Sequence, residues 1–87
     1  MIEGGAPEQL RQALANARRL LEEAGTDFAA VVKATLYLVD MSDFAACNEV
    51  WVDAFDAPRP TRSTVAVAQL PLGARAEAEL WAYAPSA

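Results

Sequence analysis

The 87-residue chain has no histidine and a single cysteine, Cys47. The first absence removes the commonest general base and the commonest metal ligand. One thiol without imidazole is too little for a zinc site, so no metal is expected. A lone cysteine also cannot close an intramolecular disulfide, which excludes a stapled secreted miniprotein. Basic residues are scarce: seven Lys and Arg stand against twelve Asp and Glu, a net charge of −5. Nucleic-acid binders present a basic face, so no nucleic-acid partner is expected. No apolar run approaches the roughly 20 residues that span a bilayer. The start, Met1-Ile2-Glu3-Gly4-Gly5, lacks the basic and apolar regions of a signal peptide. A cytoplasmic protein with no membrane partner is the expectation. Gly4-Gly5 is too weak a signal for a phosphate-binding loop.

What the chain does have is apolar content, 54% of its residues. A chain of this length makes one domain over 1–87 and buries only about 60% of its unfolded surface. Some of the apolar surface is therefore expected to meet another chain. Pro7 and Glu8 suit the first turn of a helix. Leu10, Leu14, Ala17, Leu21 and Ala24 then recur at spacings of four and three, and Gly25 stops the run. The first helix is predicted over 7–24.

Val31 to Val39 is rich in β-branched and aromatic residues and reads as a strand. Val32, Ala34, Leu36 and Leu38 form its apolar face, with Lys33, Thr35 and Tyr37 on the other. Asp40 and Ser42 are capping residues ahead of a second helix over 42–55, where Phe44, Cys47, Trp51 and Phe55 share a stripe. Ala57-Pro58-Arg59-Pro60 breaks regular structure. Strands over 62–69 and 75–83, joined through Leu70-Pro71-Leu72-Gly73, read as an antiparallel hairpin. The order α-β-α-β-β favours two helices on one face of a small mixed sheet, its other face bare.

Few residues can carry chemistry. Arg62 opens a strand behind a rigid Pro-Arg-Pro segment, and its planar fork suits a carboxylate. An ordinary strand-end arginine has the same pattern. If the hairpin closes with Gln69 opposite Ala74, Arg62 and Thr64 share a face with Glu77 and Glu79, as clamp and proton handler or as a surface salt bridge. Asn48 is either an exposed amide or a ligand contact. Trp51 and Phe55 read as core, and Cys47 as a small buried hydrophobe.

The run Pro60-Thr61-Arg62-Ser63-Thr64-Val65, then Leu70-Pro71, then Glu77 and Glu79, resembles the closing signature of the YjgF/RidA family. Lys33-Ala34-Thr35, Val39-Asp40-Met41-Ser42-Asp43-Phe44 and Asn48 are similar to the family's central strand and second helix. Leu10 through Ala24-Gly25 resembles its first helix. The resemblance covers the chain from about Pro7 onward and implies an α+β, chorismate-mutase-like fold that assembles as a homotrimer. It further implies hydrolysis of enamine or imine intermediates to 2-oxo acids and ammonia in clefts between subunits, with no cofactor. Arg62 would grip the substrate carboxylate, Glu77 would handle water or proton transfer, and Asn48 and Thr64 would line the cleft. Thr64 stands where the best-known deaminases often carry cysteine. Family members usually begin with further strands that supply a tyrosine and a glycine-rich segment, so the chain is expected to be a domain shortened at its front. The alternative expectation is a non-catalytic trimer that binds small carboxylates or regulates.

Overall fold

The computed structural model describes residues 4–83; the expectation about the first residues, Met1 to Glu3, lies outside them. Helix α1 (Ala6–Glu23) has Pro7 in its first turn, where a missing N–H costs nothing. It ends in a Schellman turn: Thr26 N donates to Leu21 O at 2.9 Å and Gly25 N to Glu22 O at 3.1 Å. Gly25 takes φ +85° there, a conformation that side chains oppose. Leu10 and Leu14 bury the helix's inner stripe, while Ala24 at its end is exposed.

Strand β1 (Val31–Leu38) follows a short 3-10 turn, Phe28–Ala30. A second 3-10 turn, Met41–Asp43, leads into α2 (Phe44–Ala54), two residues later than the sequence predicts. The delay has a local cause. The Asp40 carboxylate accepts from Ser42 N at 2.9 Å and stabilises a tight turn before α-helical geometry begins. Strands β2 (Thr61–Ala66) and β3 (Ala76–Ala82) are both shorter than predicted. Ala57–Pro58 is a cis peptide.

The expected hairpin does not form. The strand order is β2-β1-β3, with β2 parallel and β3 antiparallel to β1. Ala34, Leu36 and Leu38 are fully buried, and a strand this apolar is best placed in the middle of the sheet with a neighbour on each side. The chain between β2 and β3 therefore passes over the end of β1, and both its ends are tied there. Val67 N donates to Leu38 O at 2.8 Å, and Val39 N to Arg75 O at 3.2 Å. Gln9 adds a third tie, accepting from Arg75 N at 2.7 Å and donating to Gly4 O at 3.0 Å. Buried and bonded on both sides, it holds the start of β3 to the start of α1.

Both helices pack on the same face of the sheet, as the element order predicts. The core joins Ala6, Leu10 and Leu14 to Cys47, Val50, Trp51 and Phe55 over the β1 row. Strict alternation fails at one place. Val31 is 5% exposed and Val32 62%, because a bulge between Val31 and Lys33 in the β1–β3 ladder shifts the phase by one residue. No helix among the described residues is long and apolar enough to cross a membrane.

The bulge makes an unequal pair of neighbours. Val32→Lys should change stability by less than about 0.5 kcal/mol, whereas Val31→Lys should cost about 3 kcal/mol or more. Urea unfolding of the two variants checks this, and equal losses would remove the bulge from the account.

Candidate functional site

Cross-strand pairing decides what Arg62 faces. Its partner on β1 is Ala34, so its side chain rises on the helix-covered face. Ala34 is small and fully buried, which leaves room beside it for a long side chain. The guanidinium carbon sits 5.5 Å from the ring centroids of both Phe44 and Trp51 on α2. Its Nη1 is buried with no hydrogen-bond partner among the described residues. Burial pushes the guanidinium's pKa below its ordinary value, and no carboxylate among the described residues acts against that shift. Such a half-buried cation keeps at least one buried N–H unused, which a small anion would satisfy.

Thr64, paired with Leu36, lies on the same face two residues along and is half-buried. Asn48, also half-buried, falls one helical turn from both Phe44 and Trp51 and so shares their flank of α2. Arg62, Thr64 and Asn48 therefore gather around one region. The acids do not. Glu77 pairs with Tyr37 and Glu79 with Thr35, which puts both carboxylates on the open face, exposed and across the sheet from Arg62. The expected shared face rested on the hairpin. With β1 inserted between the strands, the register places arginine and acids on opposite sides.

Trp51 and Phe55 are core, 3% and 4% exposed, as their spacing predicts. The role of Phe44 and Trp51 as the walls around Arg62 was not read from the sequence. The available signal was their seven-residue spacing, which returns to one side of a helix after two turns. Two clefts lie elsewhere. One of about 360 Å³ between the helices is lined by Arg11, Leu14, Arg18, Phe28, Val50 and Asp53, among others. A second of about 190 Å³ shares Arg18 and Phe28 with it. Arg18 is already committed, donating to Ala54 O at 3.2 Å and stacking over Phe28 at 4.7 Å. None of the expected site residues lines either cleft.

Cys47 is fully buried, and desolvation, with smaller contributions from Asp43 and Glu8, raises its thiol pKa. Less thiolate forms near neutral pH than for a free cysteine, so Ellman's reagent should label Cys47 only after unfolding. Rapid labelling of the native protein would contradict this burial.

Residues 1–84 match the family described as Endoribonuclease L-PSP. A 2-iminobutanoate/2-iminopropanoate deaminase from Capra hircus is 44% identical over 79 residues, which are 91% of this chain and 58% of that protein. The chain thus spans less than two thirds of the length of this relative and of the similar deaminases from Bos taurus and Mus musculus. Among solved structures, RidA from an Antarctic Psychrobacter is 38% identical with a TM-score of 0.92, covering 95% of this chain and 68% of that one. Escherichia coli TdcF, solved with bound serine, is 36% identical with a TM-score of 0.90, covering 99% and 69%. Motifs, topology and these likenesses agree: the chain belongs to the YjgF/RidA family and has its chorismate-mutase-like fold.

Proposed function

We propose that this protein hydrolyses small imines and enamines that carry a carboxylate, giving a 2-oxo acid and ammonia. The observation that carries the reading is the Arg62 guanidinium, charged, desolvated and with a buried N–H left unbonded. The names of the deaminase relatives supply the substrate class, of which 2-iminobutanoate is the example. The substrate carboxylate docks on Arg62 through charge-assisted hydrogen bonds. Asn48 and Thr64 offer an amide and a hydroxyl on the same side for the imine nitrogen or the attacking water.

The chemistry asks little more of the protein. An imine carbon is already electrophilic, so water adds to it while the nitrogen gains a proton, giving a carbinolamine. Loss of the hydroxyl proton and cleavage of the C–N bond then release ammonia and leave the 2-oxo acid. Positioning and one proton relay suffice, and no cofactor enters the balance. Glu77 is the relay in this reading. Because it lies across the sheet from Arg62 in its own chain, it would act on substrate held by Arg62 of a second copy. A cleft between subunits of a homotrimer is the arrangement that reconciles the two residues.

Arg62→Ala should lower kcat/KM for 2-iminobutanoate about thirtyfold or more, followed as ammonia release. An unchanged rate in a folded variant overturns the clamp. Tight binding of 2-oxobutanoate without turnover would instead favour a carboxylate-binding protein. Sedimentation should give three times the mass of the chain, and an active monomer would overturn the shared cleft.

A further inference from the structure

A guanidinium that must receive a carboxylate has to be held by something that leaves its donors free. An acidic neighbour would hold it but would neutralise it and occupy the fork. Aromatic faces attract the cation through the ring quadrupole without accepting its in-plane N–H groups as a carboxylate does. Arg62 has the second kind of support. Its guanidinium carbon is 5.5 Å from each of two ring centroids, and no acidic side chain pairs with it among the described residues.

The rings are themselves fixed. Trp51 packs against Phe55 with centroids 4.4 Å apart and planes tilted by 42°. Phe55 in turn stacks on Phe28 at 4.5 Å and 13°. Arg18 lies over the Phe28 ring and is anchored on Ala54 O at the end of α2. Trp51 therefore stands at one end of a packed ladder whose other end is tied to its own helix. Phe44, half-buried at the start of α2, supplies the second ring.

We infer that Phe44 and Trp51 are positioning residues that set the guanidinium of Arg62 for a substrate carboxylate while leaving its hydrogen-bond donors unoccupied. The inference rests on the reading of Arg62 as the carboxylate clamp. It assigns the two rings to substrate binding and leaves the proton-transfer steps to other groups.

The test compares Trp51→Leu, Phe44→Leu, Trp51→Phe and Arg62→Ala in the full chain. Each variant is measured for 2-oxobutanoate binding by calorimetry and for KM and kcat with 2-iminobutanoate. The leucine variants should raise Kd and KM about three- to thirtyfold. Their kcat should move by less than about twofold, as loss of uniform binding requires. Trp51→Phe, which keeps an aromatic face, should restore most of the loss. A merely structural role would instead lower the melting temperature without this KM-against-kcat split. Should Trp51→Leu fail to fold, Phe44→Leu decides. Leucine variants that are folded and bind like the parent overturn the positioning role, as does a folded Trp51→Phe as impaired as Trp51→Leu. If Arg62→Ala itself binds 2-oxobutanoate normally, the clamp falls and the positioning role falls with it.

Discussion

The central place of β1 is the constraint on which the other elements depend. Its row of Ala34, Leu36 and Leu38 is fully buried, with a strand on each edge and two helices above. A strand so placed fixes the alternation of both neighbours at once, because paired residues share a face. The parallel β2 reaches it through α2, a crossover that parallel pairing requires. The antiparallel β3 reaches it over the end of β1, held by Val67, Val39 and the Gln9 clamp on Arg75. The strand side chains of the candidate site, Arg62 and Thr64, take their direction from that ladder.

Among those directions, the one given to Arg62 is energetically unusual. A positive charge is placed on the face that otherwise receives alanine and leucine, without a counter-ion among the described residues. Desolvation opposes this, as its lowered pKa records, although an arginine stays protonated at any physiological pH. Attraction to the Phe44 and Trp51 faces offsets part of the cost. An apolar residue there would be expected to pack more favourably, so the arrangement fits a site whose stability is traded for binding.

The open face of the sheet answers the other half of the composition. It carries Glu77 and Glu79 beside Tyr37 and Thr35, and Trp81 stands there 58% exposed with the Lys33 ammonium 6.0 Å from its ring. Val65 on β2 and Tyr83 just past β3 add further exposed apolar area. Large exposed apolar groups rimmed by charge are the usual surface of association. Part of the apolar residue content that the core does not bury is exposed on this face.

Helices and strands were legible in the chain because each rests on local physics. The spacing of Leu10, Leu14 and Leu21, the stop at Gly25 and the capping carboxylate of Asp40 act within a few residues of themselves. The burial of Trp51, Phe55 and Cys47 followed from the same helical period. Arg62 stood out as a candidate too, through a family resemblance that composition alone could not supply. What the sequence by itself determined is therefore the kind of each element and the residues that could bear chemistry. Strand order, the bulge that turns Val32 outward, and the separation of Arg62 from Glu77 came only with the tertiary structure. These depend on which strand is buried between the other two, a choice made by the packing of the whole core, and a single residue of register reverses every side chain.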